Sequence, residues 1–140
     1  MILRVLFACM LLVFVGCGGP LFPMAPVSGR VTLDGKPLAG AHVGFEPKRS
    51  GERLDAGPGS YGKTDAEGRF RLVSLEGDNG AVIGTHRVWV RTFRGKEGPN
   101  GSVLIVMEEK IPPRYNSQTE LTFVVPPEGT DAANFDLTSE

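Results

Sequence analysis

Cysteine and histidine are almost missing from this chain, with two of each in 140 residues. Both cysteines, Cys9 and Cys17, fall in the N-terminal segment. The body of the protein therefore has no thiol for a disulfide, a zinc thiolate site or a nucleophile. His42 and His86 are too few to fill a zinc shell, which takes about three or four protein ligands. Neither sits at a spacing that pairs a base with a nucleophile. No catalytic residues, no metal and no cofactor are expected. Charge of one sign is also missing: 15 Lys and Arg against 16 Asp and Glu leave a net charge of -1. Without a basic excess there is no footprint for nucleic acid. After residue 16 no segment keeps an apolar period of about 3.6, which argues against a helical bundle. No apolar run reaches the roughly 20 residues of a membrane-spanning helix.

What is present begins with a secretory leader. Arg4 gives a short positive region, Val5 to Val15 is uncharged and apolar, and small residues follow. Phe14-Val15-Gly16-Cys17 resembles the bacterial lipobox, with Phe14 where that pattern usually has Leu. The resemblance implies cleavage after Gly16 and a diacylglycerol thioether on Cys17, because only the cysteine sulfur accepts that lipid. Residues 1–16 are expected to be a lipoprotein signal peptide. Residues 17–26 would be the lipidated cysteine and a spacer. Three prolines (Pro20, Pro23, Pro26) and two glycines (Gly18, Gly19) are expected to bar regular structure there. Fully extended, nine residues reach at most roughly 30 Å. The implied partner is a membrane, engaged through lipid on Cys17. Gly18 follows the cysteine in place of an inner-membrane-retaining Asp, which resembles outer-membrane sorting. The implied location is therefore the cell envelope, lipid-anchored at the outer membrane.

Residues 27–140 alternate like half-buried strands. Val27, Gly29, Val31 and Leu33 share one face, followed by an Asp34-Gly35 turn. Ala41, Val43 and Phe45 give a second strand. Pro47 to Gly62 reads as a loop with an edge segment near Tyr61. Asp65 to Gly68 is a tight turn, after which Phe70 and Leu72 point inward. Val82 to Phe93 is the longest strand candidate, with His86, Val88, Val90 and Thr92 in the core register. Residues 94–101 read as a polar loop. Val103–Met107, Leu121–Val125 and Phe135–Leu137 supply further short strands. About seven short strands with recurrent turn signals mark an all-β, antiparallel sandwich.

Two stretches carry a family resemblance. Val27-Ser-Gly-Arg-Val-Thr-Leu-Asp-Gly-Lys-Pro-Leu-Ala-Gly-Ala-His-Val-Gly-Phe45 resembles the opening of carboxypeptidase regulatory-like domains, which are transthyretin-like (prealbumin-like) β-sandwiches. Thr64-Asp-Ala-Glu-Gly-Arg-Phe-Arg-Leu72 resembles their next hairpin, and Gly84-Thr-His-Arg-Val-Trp-Val90 the strand after it. Ile111 to Phe123 with Asn134 to Leu137 resembles the C-terminal part of small lipoproteins of this type. The resemblance implies an accessory or adhesive module and no reaction. The transthyretin-like hydroxyisourate hydrolases end in Tyr-Arg-Gly-Ser, whereas this chain ends Leu-Thr-Ser-Glu140.

The residues left as candidates are few. Arg87, Trp89 and Arg91 alternate onto one strand face, where an indole flanked by guanidinium groups is a candidate ligand platform, for example for a sugar ring. Cross-strand packing under the arginine stems is the competing reading. Asp65 and Glu67 lack the spaced oxygens of a calcium loop and read as turn residues. The functional expectation is a non-catalytic binding or structural module with an envelope protein or glycan as partner. A transthyretin-like hydrolase or a carbohydrate-binding module built on Trp89 are the alternatives.

Overall fold

The computed structural model describes residues 21–51 and 54–140. Residues 1–20, which include the expected signal peptide and Cys17, lie outside the described residues, as do Glu52 and Arg53. The described chain is all-β. Its strands are β1 (Met24–Ala25), β2 (Ser28–Leu33), β3 (Lys36–Pro37), β4 (His42–Pro47), β5 (Ser60–Lys63), β6 (Arg69–Arg71), β7 (Val73–Ser74), β8 (Ala81–Val82), β9 (Gly84–Arg91), β10 (Arg94–Glu97), β11 (Val103–Met107), β12 (Thr122–Val125) and β13 (Phe135–Leu137). Single turns of 3-10 helix occur at Pro99–Gly101 and Pro113–Tyr115.

Two sheets face each other. One has the order β12-β9-β4-β5-β7 and is antiparallel throughout. The other places β2 between β13 and β3, with β6 also paired to β2. Alternation decides which side chains enter the space between them. Val43, Phe45, Val88 and Val90 point in from the first sheet, and Val31, Phe70, Phe135 and Leu137 from the second. Phe45 and Phe135 meet edge-on across the gap at 6.0 Å between ring centroids. Each such fully buried side chain contributes roughly 1.5–3 kcal/mol of transfer free energy.

Three expectations need correction. The pairing of β13 with β2 is parallel, Phe135 opposite Val31, so the sandwich is not wholly antiparallel. Regular structure also begins earlier than the prolines imply. Met24 and Ala25 pair with Val82 and Ala81, and Ala25 is buried. Both residues lie between Pro23 and Pro26 and keep their own amides, so the prolines bracket the pairing without breaking it. Residues 94–101, expected as a loop, open with β10, because pairing to β11 supplies backbone partners that composition does not reveal. The Asp34 carboxylate reaches beyond its turn and accepts from the Ser139 amide at 2.9 Å and the Ser139 hydroxyl at 2.6 Å. Those bonds hold its pKa below the usual carboxylate range. Asp65 does what its turn requires, accepting from the amides of Glu67 and Arg69 at 3.0 and 2.9 Å.

The molecule has two distinguishable ends. At the Gly84 end of β9, Pro23 accepts from the Ile83 amide and Thr85 from the Lys48 amide, which places the N-terminal residues there. At the Arg91 end lie His42, Gly40 and the ribbon of β10 and β11. Seven residue steps of strand separate the two ends, roughly 23 Å.

Candidate functional site

The outer face of the five-stranded sheet carries Trp89. Tyr61, Gly44 and Trp89 lie in one row across β5, β4 and β9. Gly44 leaves the space the indole uses: a Cβ at that position would stand 2.0 Å from Cε2 of Trp89. The indole Nε1–H donates to Oε1 of Glu46 at 3.1 Å. Arg87 donates to the other carboxylate oxygen at 3.0 Å. The Arg91 guanidinium sits 4.1 Å from the ring centroid. Trp89 is thus half-buried among its own strand neighbours, the cross-strand packing arrangement. What remains open beside it is a cleft of about 130 Å³, lined also by Tyr61 and Leu75. Clefts that bury a small molecule start near ~300 Å³.

The two histidines occupy opposite ends of the β4–β9 pair. His42 faces Arg91 and His86 faces Pro47, five residues apart along the ladder and so roughly 17 Å. His86 is wholly buried against Phe45, with ring centroids 5.5 Å apart. Its Nδ1 lies 3.0 Å from the Gly84 carbonyl, and Nε2 has no partner among the described residues. Burial depresses its basicity, and the Gly84 carbonyl works against that shift. The ring is therefore a neutral packing element. His42 is half-buried, and burial followed by the positive charges of Lys63, Arg94 and Arg91 lowers its basicity as well.

A larger concavity lies where β2 and β6 of the second sheet meet the end of β5. It is an open cleft of 680 Å³ lined by Ser28, Gly29, Arg30, Lys63, Asp65, Arg69, Phe70, Arg71, Asp131 and Asn134. Three strands bring its cations together. Arg30 on β2 stands directly opposite Arg69 on β6, and Ser28 opposite Arg71, while Lys63 ends β5. Four cations against Asp65 and Asp131 leave a local excess of two positive charges. Arg30 donates through Nε to the Glu67 carbonyl at 3.0 Å, which fixes its stem. Among the described residues the one ion pair is Arg87 with Glu46, and the side chains of Lys63, Arg69 and Arg71 have no carboxylate within ion-pair distance. Like charges placed directly opposite across an antiparallel pair are destabilising. Alternation assigns each of these residues to a polar face. Their convergence depends on register between distant strands, so no local pattern discloses it. Among the described residues no cluster of three or more His, Cys, Asp or Glu could hold a metal ion.

No family model and no curated protein matches the chain. Among solved structures it is similar to a crystal structure of a 9R-lipoxygenase from Cyanothece PCC8801, at 13% identity and a TM-score of 0.40. That similarity covers 83% of this chain and 16% of the lipoxygenase chain.

Proposed function

We propose that the chain is a lipid-anchored, non-catalytic binding module of the bacterial envelope, of the carboxypeptidase regulatory-like, transthyretin-like kind. Its binding face would be the cleft around Arg30, Lys63, Arg69 and Arg71, and its ligand class anionic: a carboxylated, phosphorylated or sulfated polymer. The observation that carries this reading is the unneutralised cation set in an open concavity, where Arg30 opposes Arg69 at a cost in stability. Arginine suits such a ligand because its planar fork meets carboxylate and phosphate oxygens in pairs. The anchor rests on the lipobox-like Phe14-Val15-Gly16-Cys17. Cys17 stands six residues before Pro23, which is bonded into the fold, so the two are at most roughly 22 Å apart. The Gly84 end would therefore face the bilayer.

Two measurements test the two halves separately. Metabolic palmitate labelling with Cys17→Ala addresses the anchor. Lost label and release from membranes are expected, and undiminished label would end the idea. Binding of the full chain to immobilised polyphosphate and to a carboxylated glycan addresses the cleft. The double variant R69E/R71E is expected to weaken binding at least tenfold and to flatten its dependence on salt. Equal binding by the variant would refute the cleft.

A further inference from the structure

The ribbon of β10 and β11 is unlike the rest of the molecule. Val103, Leu104, Ile105 and Val106 are 67%, 50%, 62% and 54% exposed. Four consecutive apolar residues are thus open on both faces of a strand. Phe93 at the base is 42% exposed. Only Met107 is half-buried, its terminal methyl beside Gly40. β11 has no proline, charge or other residue that blunts an edge.

Hydrogen-bond phase shows which edge is open. The Gly98 amide donates to the Ser102 carbonyl at 2.7 Å, so this pair is of the hydrogen-bonded kind. Antiparallel pairs alternate. Lys96 and Leu104 therefore bond inward, while Glu97–Val103 and Gly95–Ile105 do not. The N–H and C=O groups of Val103 and Ile105 consequently point away from β10.

We propose that β11 is a pairing edge for a second copy of this chain, joined antiparallel about a two-fold axis at Leu104. In that register Val103 of one copy faces Ile105 of the other, and the outward groups at both positions make four backbone hydrogen bonds. Leu104 meets its own counterpart at a close, non-hydrogen-bonded position, with Cα atoms about 4.5 Å apart. A second copy is favoured because the edge is self-complementary: no charge in Val103–Met107 opposes another across the axis. A lipid surface fits poorly. The tip is Gly98-Pro99-Asn100-Gly101-Ser102, and insertion would carry Glu97 and unpaired backbone groups into the bilayer. A five-residue strand pair buries well below the ~1,200 Å² of stable complexes, so the association is weak and concentration-dependent.

The test is disulfide trapping in the full chain, in detergent, with Cys9 and Cys17 changed to Ser and one cysteine added. Leu104→Cys is expected to form a covalent dimer under mild oxidation. Val106→Cys is expected not to, since two such residues lie about 14 Å apart in this register. Leu104→Lys should abolish self-association seen by sedimentation, with Trp89 emission unchanged as a check on folding. Equal trapping at both positions, or monomer behaviour of the parent chain up to about 1 mM, a ~4 kcal/mol association limit, would overturn the proposal. So would flotation with lipid vesicles that Leu104→Lys abolishes, which would assign the ribbon to a membrane. None of these outcomes depends on the Cys17 anchor or on the cationic cleft.

Discussion

Replacing Gly44 by alanine tests the account of the Trp89 face most directly. The new Cβ would stand 2.0 and 2.1 Å from Cε2 and Cζ2 of the indole. Such contacts cannot persist, and the strand beneath is held on both sides by β5 and β9, so the indole has to move. Overpacking of this kind costs about 1–3 kcal/mol. Lifting the ring also breaks its 3.1 Å bond to Glu46 and its contact with Arg91. An exposed cation–π contact adds roughly 0.5–1 kcal/mol. A total near 2–3 kcal/mol is expected, because the terms overlap. For a domain of this size that lowers the melting temperature by roughly 6–12 °C. The chain has a single tryptophan, so fluorescence reports this ring alone. Urea titration should show an earlier midpoint with unchanged slope, and native emission should move to longer wavelength as the indole meets water. An alanine variant with parental midpoint and parental emission would show that the indole does not lie over Gly44.

Three further outcomes follow from other parts of the fold. Gly29→Ala places a Cβ 1.9 Å from the Ala133 carbonyl oxygen, a backbone atom that cannot rotate away. Its cost should exceed that of Gly44→Ala, at about 3 kcal/mol or more by chemical denaturation. His86 has its basicity lowered by burial, so the unfolded chain binds its proton more readily. Its contribution to stability is complete above the unfolded value near 6.5 and falls as pH drops below it, by at most about 1.4 kcal/mol per pH unit. Urea midpoints at pH 7.5 and 5.5 should diverge in the parent and converge in His86→Leu, leaving a small remainder from His42, whose basicity is lowered in the same direction. Replacing residues 94–107 by Asn-Gly should leave the sandwich folded within about 1 kcal/mol, since the ribbon's ends are already strand partners. A collapsed circular dichroism spectrum would show that the ribbon is part of the core.

Much of the fold is legible in local pattern. Alternation alone assigns Val31, Val43, Phe45, Phe70, Leu72, Val88 and Val90 inward, and all are buried. It also puts His86 and Thr92 in the core register and Trp89 on the opposite face. It fails where long-range pairing overrides composition. Met24–Ala25 is strand because Ala81–Val82 offers it an edge, and Arg94–Glu97 because β11 does. The cationic cleft is illegible for the same reason. Arg30 and Arg69 become neighbours only through the register of β2 on β6. The exposure of Val103–Val106 runs against pattern altogether. An uninterrupted apolar run reads as core, and only the structure places it outside.

That last exception bears on why the ribbon exists. β9 and β12 are antiparallel neighbours, Arg87 opposite Thr122, and the commonest connection between such strands is about 2–5 residues. Here the connection runs from Thr92 to Leu121. Part of it serves the core: Ile111 and Thr119 are buried, and Thr119 donates to the Val88 carbonyl at 2.7 Å. The ribbon does not share in this. A two-stranded ribbon alone is marginally stable in water, yet this one is fastened at its base. The Glu109 carboxylate accepts from the amides of Thr92 at 2.9 Å and Ile111 at 3.0 Å, and from the Thr92 hydroxyl at 3.0 Å. Burial pushes the pKa of that carboxylate up, but the hydrogen bonds from Thr92, Ile111 and Phe93 outweigh it and hold the pKa below the usual carboxylate value. A latch at the base with an open apolar edge beyond it holds that edge in position without covering it. Packing among the described residues leaves the edge unsatisfied, whereas contact between chains would satisfy its backbone and its side chains together.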